Sequence, residues 1–146
     1  MKEKRLVVFN RIIFILSIIG VLIALYVTQS FLRKSPIVCV NTGCETVRKS
    51  AASYILGIPV PAFGLAGYSI LAILAFFHTS MKKDILIKFM LAIATFGVFF
   101  VSWFTYTELF IIKAICTWCA ISAINMTVIF SLTLKSFFLE NYEAHW

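Results

Sequence analysis

Four cysteines stand out from the sequence because of their spacing. Cys39 and Cys44 have four residues between them, and Cys116 and Cys119 have two. The spacing Cys116-Thr117-Trp118-Cys119 lets the first turn of a helix bring two sulfurs together. The N–H groups at a helix start favour the thiolate, which is the form that attacks or leaves in thiol–disulfide exchange. A second pair on the same side of the molecule turns such a motif into a relay. One pair exchanges with an outside protein and the other hands electrons onward. Three other readings compete, one of them buried, inert thiols acting as small hydrophobes, which two tight pairs disfavour. The pairs could be static disulfides stapling the surface of a non-enzymatic membrane scaffold. The Cys-x4-Cys and Cys-x2-Cys spacings also fall in the range of structural zinc sites, which would make this a metal-binding membrane protein. No His or acidic residue supports a metal site, so none is assigned.

The elements that must position these thiols follow from composition. Of 146 residues, 62% are hydrophobic and 13% charged, and the mean hydropathy is +1.00. A soluble domain of this length cannot bury so much apolar surface. A soluble enzyme, a disordered chain and a nucleic-acid-binding module are therefore excluded. The net charge of +7 is read as topology signals and contacts to anionic membrane lipid.

A helix crosses the hydrocarbon with about 20 apolar residues, and four runs qualify: 12–32, 60–77, 85–107 and 114–134. They are continuous rather than alternating, which excludes barrel strands. The expected fold is all-α, an integral membrane four-helix bundle forming one domain over 1–146. Eight basic residues fall on one side: Lys2, Lys4, Arg5 and Arg11, then Lys82, Lys83 and Lys88, then Lys135. Five fall on the other: Arg33, Lys34, Arg48, Lys49 and Lys113. The positive-inside rule then puts both termini in the cytoplasm and all four cysteines on the extracytoplasmic side of the inner or plasma membrane. That compartment oxidises thiols.

The loop 33–59 carries Cys39 and Cys44. Thr42 and Glu45 have capping-box spacing, so a short amphipathic helix is expected from Glu45 to about Leu56, with Cys44 in its first turn. Gly57 would end it, and Pro59 and Pro61 would turn the chain into the second span. The helix is expected to cap the outer face, and Gly43 to give the loop freedom to move. His78 and His145 fall at the opposite end and are read as interfacial. Glu108 and Lys113 flank the turn before Cys116; they could tune the C-x-x-C electrostatically, and are read as anchors. Trp103, Tyr106 and Trp118 are read as an aromatic belt, with Trp118 also able to edge a ligand pocket.

These features in order resemble the vitamin K epoxide reductase family in its small bacterial or archaeal form. The resemblance spans about residues 8–138. It rests on the first span, the loop pair, Ser50 six positions after Cys44, Gly57-Ile58-Pro59-Val60-Pro61-Ala62-Phe63-Gly64 followed by Tyr68, and the late Cys116-Thr117-Trp118-Cys119. The disulfide-generating DsbB proteins carry the two kinds of pair in the reverse order. The resemblance implies a quinone-dependent thiol oxidoreductase in which Cys39, Cys44, Cys116 and Cys119 are catalytic. The electron acceptor would be menaquinone or ubiquinone, with Ser50, Trp118 and Cys119 at its site. Cys116 would be the exchange cysteine. Cys44 is expected to meet the partner, leaving Cys39 to attack Cys116. The partner implied is a thioredoxin-like protein of the DsbA type, acting in trans because the chain ends at Trp146. The Asn and Tyr of animal enzymes that act on the epoxide align with Val60 and Ala123 here, which favours plain quinone reduction. The Cys-x4-Cys loop spacing is also shorter than in comparable members.

Overall fold

The computed structural model describes residues 2–36, 38–40, 43–81 and 83–144. Thr42, Lys82 and His145, to which the sequence assigned roles, lie outside them. Four helices are long and apolar enough to cross a membrane. They are α1 (Lys2–Arg33), α3 (Val60–Met81), α4 (Asp84–Thr107) and α5 (Thr117–Ala144), with α2 (Gly43–Lys49) in the loop between the first two. The all-α bundle expected from composition is the fold. Helix α1 packs on α3 and α5, and α4 packs on α3 and α5.

The helix ends differ from the expected spans, each for a local reason. Helix α1 starts about ten residues before its apolar run. It closes with Lys34 in the left-handed region (φ 53°), and the Ser35 N–H donates to Ser30 O at 3.1 Å. That is a Schellman-type stop, and Pro36 follows it. Helix α4 continues into a π-helical turn, Glu108–Ile112, which Lys113 ends in the left-handed region. Residues 113–116 are not helical, so α5 begins at Thr117, three residues later than expected.

The loop corrects a second expectation. The helix that should have run to Leu56 stops at Lys49. The Ser50 hydroxyl accepts the Ala52 N–H at 3.3 Å and caps a 3-10 turn, Ala51–Ser53. A serine that bonds its own backbone in this way competes with helix continuation. A two-stranded hairpin follows, β1 (Tyr54–Ile55) and β2 (Ile58–Pro59), with Leu56 and Gly57 as its two-residue turn. Both turn residues have positive φ, 54° and 83°, which suits the right-handed twist of a tight hairpin. Gly57 therefore serves a hairpin rather than a helix end. The hairpin leads directly into α3.

Two apolar clusters fill the bundle. One centres on Ile13, Tyr68, Leu71, Met90 and Ile129. The other joins Val27, Phe31, Val47, Val60 and Phe104 to Cys44 and Cys116, and Cys39, Trp118 and Cys119 pack against it. The Tyr68 ring lies across α1 because Gly20 leaves room. A Cβ there would overlap the ring.

Candidate functional site

All four cysteines meet in the second cluster. Cys39 and Cys44 are bonded to each other, whereas Cys116 and Cys119 are free thiols. The four-thiolate zinc arrangement weighed from the sequence is thus not the one present. Among the described residues no other group of His, Cys, Asp and Glu could hold a metal ion.

Cys116 is the last residue before α5. The Ala120 N–H donates to its carbonyl at 3.0 Å, so Cys116 occupies the N-cap and Cys119 lies three residues on, in the first turn. The Cys116 thiol is held below the ordinary cysteine range. The neighbouring Cys119 thiol is the main cause, and the N–H groups of Cys119 and Trp118 add to it. Burial and the Glu108 charge oppose it. The two sulfurs of the motif therefore differ, with Cys116 favoured as the thiolate.

Cys116 Sγ lies 3.2 Å from Cys44 Sγ, and both residues are 1% exposed. Cys39 is half-buried, between the exposed Val38 and Val40. This reverses the expected arrangement. Cys44 faces Cys116, and Cys39 is the loop cysteine nearer the surface. The reason is the approach of α2. Gly43 passes so close to the Ile115 carbonyl that a Cβ would overlap it. Gly43 thus secures a close contact rather than loop freedom.

Three further contacts hold the loop. The Trp118 indole N–H donates to Val38 O at 2.6 Å. The Val38 N–H donates to the Tyr26 hydroxyl at 3.2 Å, and the Tyr26 and Trp118 rings lie 5.3 Å apart. The Thr117 hydroxyl lies 3.3 Å from Cys39 Sγ.

On the other side of the motif, Cys119 lines a cavity of about 450 Å³ between α1, α3, α4 and α5. Its walls are almost wholly apolar and include Phe63, Phe100 and Trp118. The polar side chains on it include Tyr68, Ser122 and Thr105. The Tyr68 hydroxyl donates to Ser122 O at 2.9 Å and lies 3.0 Å from Ser122 Oγ. A flat, apolar ring with two carbonyls matches this volume, these walls and these hydroxyls. Cys116 is not among the lining residues.

Of the residues expected at this pocket, Trp118 and Cys119 line it and Ser50 does not. Ser50 is occupied as the cap of the 3-10 turn. The hydroxyls the cavity offers come from α3, α4 and α5 instead. Glu108, read from sequence as an anchor that could also tune the C-x-x-C, is placed by the structure against the motif. It opens the π-helical turn, is 2% exposed, and interacts with the Cys119 thiol and the Cys116 backbone N–H. The signal was legible. A carboxylate just before the apolar run 109–112 is costly in a membrane protein and marks function by default.

The sequence matches the Vitamin K epoxide reductase family over residues 11–134. A comparison with curated proteins finds no match. The chain belongs to the vitamin K epoxide reductase family, and it is a membrane thiol–disulfide oxidoreductase.

Proposed function

We propose that this member of the family oxidises a thioredoxin-like partner of the DsbA type and passes the electrons to a membrane quinone, driving disulfide formation outside the cytoplasm. One observation carries the reading. The two sulfurs of one C-x-x-C face different places, Cys116 toward the loop disulfide at 3.2 Å and Cys119 toward the apolar cavity. A quinone, when bound, accepts two electrons and two protons.

The residues divide the work. A partner thiolate attacks Cys39, the loop cysteine nearer the surface, and expels Cys44; the partner's second thiol then releases Cys39. With both loop thiols reduced, Cys44 attacks Cys116 of an oxidised C-x-x-C and expels Cys119. Cys39 then attacks Cys44 and frees Cys116. Each step is exchange through a mixed disulfide, conserving electrons. The arrangement described above, with the loop pair oxidised and the C-x-x-C reduced, corresponds to the end of that internal transfer. Cys119 is then the sulfur positioned to give up electrons at the cavity. The Ser122 hydroxyl can donate to a ring carbonyl there, beside the Tyr68 hydroxyl that donates to Ser122 O, and the apolar walls exclude water. The basic-residue asymmetry supports cytoplasmic termini and extracytoplasmic thiols.

The test is quinone reduction by purified protein in detergent, with menaquinone and ubiquinone analogues and a reduced thioredoxin-like donor. Turnover is expected in wild type and a loss of about a thousandfold or more in Cys119→Ser. A folded wild-type protein that reduces no quinone, or a fully active Cys119→Ser, sinks the reading.

A further inference from the structure

Glu108 has no part in the electron path above, yet it is buried against that path. The residue is 2% exposed. Its Oε1 has no hydrogen-bond partner among the described residues. It interacts with the Cys119 thiol and the Cys116 backbone N–H. A π-helical turn begins at this residue, a local widening often found at functional sites. An ordinary structural carboxylate would be paired or exposed, since an unpaired buried charge costs several kcal/mol. Opposite charges are scarce around it. The Lys113 side chain is exposed. On α2, which packs on the same turn, Arg48 is engaged by Glu45 at 2.6 Å and Lys49 is exposed. Among the described residues of α4, the nearest charged residue before Glu108 is Lys88, 20 positions away. What faces the carboxyl is a thiol that must lose and regain a proton.

We propose that Glu108 is the proton acceptor for Cys119: its carboxylate takes the thiol proton as that sulfur becomes the electron-donating thiolate, and returns it when Cys119 is expelled in the next exchange. The inference rests on the reading of function above. Burial disfavours a charge on either group, so one negative charge is shared between carboxylate and thiolate, and the proton moves between them without a solvated intermediate. The steps balance. In the quinone step the two thiols, the Glu108 carboxylate, a quinone and one proton from water give the Cys116–Cys119 disulfide, the Glu108 acid and a quinol. In the exchange step the reduced loop pair, the Cys116–Cys119 disulfide and the Glu108 acid give the loop disulfide, two thiols and the carboxylate, with one proton released to water. Glu108 does not line the cavity, so it serves the sulfur and not the quinone ring.

The test is single-turnover oxidation of the reduced full chain by a short-chain quinone, across pH, for wild type, Glu108→Gln and Glu108→Asp. At neutral pH Glu108→Gln is expected to be slower by about a hundredfold. Its rate should then climb about tenfold per pH unit, as hydroxide replaces the carboxylate, and close on wild type in alkali. Glu108→Asp keeps the acceptor at shorter reach and should retain a measurable part of the rate. A Gln variant equal to wild type, or slower by one constant factor at every pH, overturns the proposal. A second measurement needs no quinone. Removing the carboxylate charge should speed alkylation of Cys119 by N-ethylmaleimide in alkali, because two negative charges no longer oppose each other. A single substitution that speeds alkylation and slows quinone reduction is not what loss of packing would produce. If wild type reduces no quinone, the functional reading fails, and an alkylation profile unchanged in Glu108→Gln overturns the role of Glu108 separately.

Discussion

Each end of the bundle holds a carboxylate that keeps one oxygen from solvent, and the two are kept in different company. At the end away from the cysteines, Glu140 Oε1 lies 3.0 Å from His78 Nε2. His78, read from sequence as interfacial, is instead 6% exposed and tied across α3 and α5. Nearby, the Asn10 amide donates to Ala75 O at 2.8 Å and to the Thr79 hydroxyl, joining α1 to α3. At the cysteine end, Glu108 has thiols and a backbone N–H around it and makes no ion pair among the described residues. Glu108 is buried and Glu140 half-buried, yet each leaves one oxygen without a hydrogen-bond partner among the described residues, so an orphaned oxygen alone does not separate them. The neighbours do. A carboxylate facing an imidazole fixes helices to each other. A carboxylate facing a thiol can exchange a proton with it.

That contrast can be broken in several ways. The largest effect belongs to the sulfur contact. Cys44→Ala should cut protein-driven quinone reduction by about a thousandfold, because Cys44 Sγ is the loop sulfur that lies 3.2 Å from Cys116 Sγ and carries the exchange. Given an oxidised partner, the lone Cys39 thiolate of Cys44→Ala should attack the partner's disulfide and hold it as a mixed disulfide, seen on a non-reducing gel. Trapping by Cys39→Ala and not by Cys44→Ala would reverse the roles of the loop cysteines. Gly43→Ala comes next. The added methyl must push α2 off the Ile115 carbonyl, so internal exchange should slow by about tenfold. Oxidation of an already reduced C-x-x-C by quinone should be untouched.

The other end should answer only in stability. His78→Ala is expected to cost about 1–3 kcal/mol, read as a lower thermal midpoint in detergent, with the rate per folded molecule unchanged. A loss of rate without a loss of stability would mean that the far end takes part in the chemistry. Smaller still is the reactivity of Cys116. Its alkylation in the reduced protein should reach half its plateau below the ordinary thiol range of about 8.5. The sign follows from the helix start and the Cys119 thiol stabilising its charged form. The smallest effect is at the hairpin. Leu56 is 98% exposed and has positive φ, so Leu56→Gly should stabilise the protein by about 1 kcal/mol. Neither quinone reduction nor partner oxidation should change.

Much of this protein is legible in its composition and order. Continuous apolar runs fix the number of spanning helices, because only a helix satisfies its own backbone in hydrocarbon. The family signature places all four cysteines, and the C-x-x-C spacing places Cys116 and Cys119 at a helix start, where they are found. Local chemistry that depends on competition between structures was less legible. The Ser50 side chain ended a helix that amphipathic spacing extended to Leu56, and a left-handed Lys113 delayed α5 by three residues. What only the tertiary structure decided is which groups face each other. The run of residues cannot show that Gly43 lets α2 rest on Ile115, that Cys44 and not Cys39 therefore meets Cys116, or that Cys119 opens on a cavity built from four helices. Nor can it show that Glu108, eight residues before Cys116, turns inward to a thiol. Spacing governs contacts within one helix turn. Contacts across 72 residues, as between Cys44 and Cys116, are set by how helices pack, and packing is a property of the whole chain.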